Sequence, residues 1–370
     1  MEHRTVVQSS DYQFRTSTDL DDPAWDRFVA SVPGGHHVQT SLWGRVKGVL
    51  GWQAVRVVVS RDDDIVGGGH LLLRPVSRFG NVGYVTKGPI IKSGDPTLSK
   101  RVIDELRNLG RAYHLRYLAI QPPSNGQAII HSLEELGFRA SWIELAPTAT
   151  ILLDLTQDLA VLMERLKRQT RQNIRRSQRE GITVGEGNAS DLDTFYRLHL
   201  STSERQKFVP YPKDYFATMC HTFESAGCFC LIVADYKGEG VSSLLLIPFG
   251  TTVIAKILGW SGEHGNRRPN EAVFWGAIKW AQEHGYHCFD MEGIDPASAR
   301  AVLNGQSLPE ELRDSPDFFK LGFGGQVVLN PPAYDYFYNS VLRWTYRLFF
   351  RSAMVDLPVV KRMLNRLRQH

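Results

Sequence analysis

Seven lysines and arginines and no acid fall between Arg165 and Arg179: Arg165, Lys167, Arg168, Arg171, Arg175, Arg176 and Arg179. Leu159, Leu162, Leu166, Thr170 and Ile174 recur along one side of this stretch, which predicts a helix from about Thr156 that ends at Gly181. The cations then occupy the other faces, with too few local acids to pair them. Two uses are open: a solvated helix face, or phosphate binding. Guanidinium forks match phosphate oxygens, and several cations on one rod can follow an RNA backbone or grip a diphosphate.

Other stretches combine reactive residue types. Trp43 and Lys47 stand one helical turn apart after Gln39-Thr40-Ser41, placing a cation beside an aromatic wall unless the tryptophan belongs to the core. Thr202 to Tyr211 leaves a helix for a proline-bounded loop with Arg205, Lys207 and Tyr211, a site wall or a plain surface connection. Asp290 and Glu292 flank Met291 at the end of an apolar strand, where α/β folds present reactive groups. A carboxylate there can accept a proton from an attacking amine, or cap a helix, or pair with an arginine. Phe318-Phe319-Lys320 leads into Gly322-Phe323-Gly324-Gly325, setting an aromatic-anchored lysine beside backbone that a ligand can approach closely.

Several chemistries lack their motif: no P-loop, no GxGxxG after a strand and no HExxH occurs. Cys228-x-Cys230 is too tight for paired zinc ligands, and His284, His287 and Cys288 have no fourth ligand in view, so no metal is expected. Arg107-x-x-Gly110-x-Ala112 has the letters of an acyl-CoA pyrophosphate loop. It lies at the end of its helix, where the dipole and the free amides are wrong for an anion.

The elements that must position these residues follow from pattern and length. A chain of 370 residues with 42% hydrophobic and 22% charged residues supports two globular domains and excludes a disordered or disulfide-stapled protein. The window Val241 to Trp260 is apolar, but Pro248, Gly250 and Lys256 divide it into strands rather than a membrane span. Met1 to Arg15 has no signal-peptide core, which with four cysteines points to the cytoplasm. The net charge of +4 hides an asymmetry: residues 165–179 carry +7 and residues 341–370 carry +6, so the remainder is negative.

In the first half, Asp22-Pro23 opens a helix, a hairpin turns at Arg61-Asp62-Asp63-Asp64, and Leu98, Val102, Leu106 and Leu109 trace a helix before strand 116–121. The second half has helices at 191–204 and 270–284 and strands at 228–236, 241–249, 252–259 and 286–291. Tyr113-His114, a strand and Leu136-Gly137-Phe138 echo Tyr286-His287, a strand and Leu321-Gly322-Phe323, as in a duplicated α/β fold.

Gln39-Thr40-Ser41-Leu42-Trp43-Gly44-Arg45-Val46-Lys47, Lys87-Gly88-Pro89, Arg171-Gln172-Asn173-Ile174-Arg175, Arg179-Glu180-Gly181, Thr202 to Arg205 and Phe319-Lys320-Leu321-Gly322-Phe323-Gly324-Gly325, in this order over residues 25–330, together resemble the FemABX family. These are aminoacyl-tRNA-dependent peptidyltransferases that build peptidoglycan cross-bridges. The resemblance implies an α/β fold of two tandem acetyltransferase-like (GNAT-like) domains, at 1–150 and 151–333, with no coiled-coil arm. A basic, aromatic helical extension follows at 334–370.

The resemblance also implies roles. Lys47 and Arg205 match residues that bind the precursor's diphosphate, Tyr211 lies where an aromatic substrate contact is expected, and Lys320 with Phe319 matches the motif linked to the acceptor end of tRNA; Trp43, by its spacing to Lys47, is a further substrate candidate. Arg171, Arg175 and Arg176 would hold tRNA. Asp290 is the candidate proton acceptor, with the substrate's own groups as the alternative. The partners are then aminoacyl-tRNA and a lipid-linked or UDP-linked muropeptide precursor, with no DNA and no cofactor.

Tyr336, Phe337, Trp344, Tyr346, Phe349 and Phe350 interleave with Arg343, Arg347 and Arg351, a composition that suits an anionic membrane face. Packing onto the second domain also explains the aromatics. Two alternatives stay open: an acyl-CoA-dependent N-acyltransferase of the same fold or transfer to a non-peptidoglycan peptide, and a non-catalytic RNA-binding or envelope scaffold protein.

Overall fold

The computed structural model describes residues 12–77, 80–92 and 95–351. The first part of the chain forms β1 (Gln13–Ser17), α1 (Pro23–Ser31), α2 (Ser41–Gly48), β2 (Gln53–Arg61), β3 (Asp64–Ser77), β4 (Gly80–Thr86), β5 (Ile90–Ile91), α3 (Pro96–Ala112), β6 (Leu115–Gln121), α4 (Gln127–Glu135) and β7 (Arg139–Ala140). Next come β8 (Ala149–Asp154), α5 (Leu159–Arg165), α6 (Arg168–Arg179), β9 (Ile182–Glu186), α7 (Leu192–Gln206), α8 (Lys213–Glu224), β10 (Cys230–Tyr236), β11 (Glu239–Phe249) and β12 (Thr252–Trp260). The chain closes with α9 (Pro269–Glu283), β13 (Cys288–Asp290), α10 (Pro296–Leu303), α11 (Pro316–Leu321), β14 (Gln326–Leu329), β15 (Tyr334–Phe337) and α12 (Ser340–Arg351).

Two compact units result. The first holds the described residues up to Gly44, Trp52–Ser141 and Ala333–Arg347; the second holds Trp142–Pro332 with Arg45–Gly51. The first sheet runs β1-β2-β3-β4-β6-β15-β7 and the second, read from its own edge, β9-β10-β11-β12-β13-β8-β14. The plans agree step by step. Three antiparallel pairings lead to one parallel pairing, β4 with β6 or β12 with β13, across which α3 or α9 makes the crossover. A parallel neighbour needs such a connection. The sixth strand comes from a distant part of the chain in both sheets: β15 lies against β6, and β8 against β13.

Three sequence expectations are corrected. Residues 334–337 are strand rather than helix, because Tyr334 and Phe337 pair with Ile120 and Tyr117 of the first sheet. The aromatics there pack on the first unit, Tyr336 against Phe138 and Phe337 against Tyr117, not on the second. The helix expected from about Thr156 to Gly181 is two helices, α5 and α6, separated by Leu166 and Lys167 in extended conformation. Leu162, Leu166, Thr170 and Ile174 are all buried, so the apolar spacing runs on through the break and periodicity cannot reveal it.

Two histidines are locked into these cores. His70 on β3 is 1% exposed, and neither ring nitrogen has a partner among the described residues. Burial, with Arg56 nearby, lowers its pKa to about 3. His199 on α7 lies against Phe195 and Phe216, and burial lowers its pKa to about 4. The unfolded chain takes up these protons near pH 6.5 and the folded chain does not. Stability is therefore fully present above pH 6.5 and falls with pH by about 1.4 kcal/mol per unit for each histidine. Denaturant titrations between pH 7 and pH 5 should show this slope, and His199→Phe should flatten it; equal slopes would contradict the account.

Candidate active site

The second unit gathers charge where β13 ends. Phe289 is fully buried and fixes the strand, so Asp290 is delivered at its carboxyl end. The Asp290 carboxylate accepts a hydrogen bond from the Thr150 hydroxyl on β8 and another from the Glu292 backbone N–H at 2.8 Å. The chain then turns through two left-handed residues, Glu292 (φ 41°) and Gly293 (φ 56°). Such a conformation at a glutamate costs about 1–3 kcal/mol and persists only when neighbours fix it.

Two lysines supply the fixing contacts. Lys256, the single charged residue between Val241 and Trp260, meets the Glu292 carboxylate at 2.6 Å, with the two side chains 17% and 19% exposed. Lys320 donates to the backbone carbonyl of Glu292 and, at 2.8 Å, to that of Gly293. Its helix is short but well founded: Ser315 caps the N-terminus through Phe318 N–H, Pro316 occupies the first turn, and Phe319 packs on Phe274 and Phe323. Burial draws the Lys320 pKa below the ordinary lysine range, against the opposing pull of Glu292, Asp290 and Asp317.

Tyr211 adjoins this cluster. It stacks on Tyr215 with ring centroids 4.4 Å apart, and burial raises its pKa in the field of Lys256 and Glu292. Asp290, Lys320, Phe319 and Tyr211, widely separated in sequence, thus belong to one neighbourhood. Lys256, Tyr215 and Thr150 join them without having been singled out. Only Lys256 left a trace in sequence, as a cation inside an apolar strand.

Arg205 lies at the end of α7, which Lys207 terminates in a left-handed conformation (φ 57°). Its guanidinium rests over the Trp260 ring at 4.5 Å and donates to the Trp260 carbonyl at 2.8 Å, leaving one face exposed. Arg205 and Tyr211 bracket the loop between α7 and α8. Lys47 is half-buried in the last turn of α2. Trp43 is 8% exposed and set edge-on to His37, so it is core rather than an open aromatic wall.

The basic helix α6 divides into two sets. Arg171 donates to the carbonyls of Glu164 and Leu166, closing the end of α5, and Arg176 pairs with Glu180 at 2.7 Å. Both hold local structure. Arg168, Arg175 and Arg179 are exposed and have no acidic partner among the described residues.

Beside α5 lies a cleft of about 760 Å³, lined by Asp154, Arg165, His287, Cys288 and the Gly324–Gly325 turn among others. A side chain at Gly325 would meet the Leu152 carbonyl at 2.7 Å, so only glycine lets this turn close on β8. No group of three or more His, Cys, Asp or Glu residues suited to a metal ion is present among the described residues. No described helix is long and apolar enough to cross a membrane.

The chain is 26% identical over 299 residues to UDP-N-acetylmuramoylpentapeptide-lysine N(6)-alanyltransferase of Weissella viridescens, covering 75% of this chain and 87% of that protein. It is 24% identical over 213 residues to lipid II:glycine glycyltransferase of Staphylococcus aureus, with 55% of this chain matched and about half, 51%, of that protein's length spanned. The fold is that of the FemX crystal structure, with a TM-score of 0.76, 20% identity, and 90% and 99% of the two chains covered. A tandem GNAT protein from the clavulanic acid biosynthesis pathway shares it at a TM-score of 0.54 and 11% identity, over 88% of this chain and 98% of that one. The duplicated sheet plan is thus a tandem GNAT-like fold. The model of the FemAB family matches residues 20–239, more than half of the chain, and the protein belongs to that family.

Proposed function

We propose that the protein transfers an amino acid from aminoacyl-tRNA to an amine of a peptidoglycan-precursor stem peptide, UDP-linked or lipid-linked. The amine nitrogen attacks the ester carbonyl, a C–N bond forms, and the C–O bond to the ribose breaks. The amine's proton ends on the departing ribose oxygen. No nucleophilic side chain is required, so alignment and charge neutralisation are the main contributions.

The observation that carries this reading is the cluster at the end of β13. An ammonium held by two carbonyls and a carboxylate held by two donors stand together, each with its orientation already fixed. Lys320 offsets negative charge at the tRNA acceptor end, and Asp290 takes the amine's proton and passes it to the departing ribose oxygen. The Lys256–Glu292 pair keeps the turn on which Lys320 rests. Arg205 and Lys47 take the diphosphate of the precursor, and Tyr211 lies against the acceptor.

The acyl-CoA alternative is disfavoured by the helix starts. A coenzyme A pyrophosphate needs free amides at the N-terminus of a crossover helix. Here α3 begins with Asp95, whose side chain already caps Thr97 N–H, followed by Pro96. Helix α9 begins with Pro269 and buries Glu271 in its first turn against Asn173 at 2.7 Å. An acid in the first turn repels an anion.

The donor assignment is tested by tRNA binding at 50–200 mM salt. Replacing Arg168, Arg175 and Arg179 together by alanine should lower the slope of log affinity against log salt by about 2, if each meets one phosphate. Arg171 and Arg176 are left in place because they hold the fold. An unchanged slope would make α6 a solvated face.

A further inference from the structure

Eleven large apolar side chains are exposed among the described residues, and three of them fall within four positions of α12: Val341 (66% exposed), Leu342 (39%) and Trp344 (63%). The orientation of this helix is fixed from behind. Tyr346 packs on Phe337 at 4.7 Å and on Tyr117, and its hydroxyl donates to the buried Asp335 carboxylate at 3.1 Å. Asn339 caps the start by accepting from the N–H groups of Val341 and Leu342. At about 100° per residue, Val341 and Trp344 lie on the side of the helix away from Tyr346 and are held outward by that packed face, whereas Leu342, one turn before Tyr346, flanks the packed side.

Charge decides what fits there. Arg343 is exposed next to Trp344, at the rim of the outward side. Just before the helix, Tyr338 N–H donates to the carbonyl of Arg116, whose side chain is exposed, and the charge of the exposed Arg111 reaches the Tyr338 hydroxyl. From residue 341 to the end of the sequence, seven lysines and arginines stand against Asp356 alone, although residues 352–370 lie outside the described structure. An apolar partner protein would satisfy Val341 and Trp344 but leave these cations unmatched. A surface that is apolar to a few ångströms' depth and negative at its rim matches both, with the tryptophan at its preferred interfacial level.

We infer that the first two turns of α12 dock on an anionic lipid bilayer, with Val341 and Trp344 entering the headgroup boundary and the neighbouring arginines meeting lipid phosphates. The inference stands apart from the transfer reaction, since it rests on α12 and its surround and not on the site of the second unit.

The test is partition of the full chain onto vesicles of phosphatidylcholine alone and of phosphatidylcholine with phosphatidylglycerol, at low and at physiological salt. Binding to the anionic vesicles should be at least tenfold stronger, with Arg343→Ser costing about fivefold, as one cation near such a surface implies. Trp344→Ser with Val341→Ser should reduce it a further tenfold or more, and these surface changes should leave the melting temperature unchanged. Equal partition onto both vesicles, or anionic binding that survives the Trp344 and Val341 changes, would overturn the inference. So would self-association in sedimentation velocity that the same changes abolish while vesicle binding is absent, which would assign the patch to a second copy of the chain.

Discussion

Lys320→Ala should lower single-turnover transfer from saturating aminoacyl-tRNA by about 10–100-fold, the 1.4–2.8 kcal/mol expected of one charge-assisted contact, while leaving acceptor affinity intact. The structure sharpens this expectation because Lys320 also clamps the Glu292 and Gly293 carbonyls. A clamp alone would show in stability and would be lost equally in Lys256→Met, which releases the same turn from its other side. A charge shows in the pH profile. Since burial lowers the Lys320 pKa, its charge is lost as pH rises at a lower value than for a free lysine. Transfer, corrected for ester hydrolysis, should therefore fall on the alkaline side in the native protein. Lys320→Arg should remove that limb while restoring only part of the rate, because a planar fork replaces a compact ammonium. Full activity of Lys320→Ala would leave the Phe319-Lys320 turn with a structural role alone.

Arg205→Ala and Lys47→Ala should each weaken the intact precursor by about 1.5–3 kcal/mol, the range for a hydrogen bond to a charged group, and leave a stem peptide lacking the diphosphate unaffected. Trp260 adds a control. The Arg205 guanidinium lies on its ring, so Trp260→Leu should weaken the same substrate selectively by loosening the arginine rather than by removing a contact. Equilibrium binding of the two acceptors decides. Equal losses with both would place the diphosphate elsewhere.

Local pattern made much of this legible. The apolar faces of α3 and α9 were readable at helical spacing, because each carries a continuous stripe against its sheet, although α9 also packs on α6, as its buried Glu271–Asn173 contact shows, and α3 on α4. The Phe319-Lys320 turn stood out because aromatics, a lysine and glycines occur together. What escaped depends on partners far away in sequence. Strand β15 has four residues and pairs with β6 some two hundred positions earlier, a choice that no window of sequence encodes. The same reason hid the division of α6: whether an arginine is free for phosphate depends on the Leu166–Lys167 break and on Glu180, which engage Arg171 and Arg176. The Lys256–Glu292 pair joins β12 to the turn after β13 and became visible only once β12 and β13 were adjacent.

The most direct test of the central claim is a single-turnover reaction of the protein with a muropeptide precursor and, in parallel, tRNA charged with alanine or glycine, or acetyl-CoA with the same precursor. The account predicts a new peptide bond on the stem peptide with charged tRNA as donor, lost when the ester is hydrolysed beforehand, and no acetylation. Transfer from the thioester but not from the ester, or from neither, would contradict it.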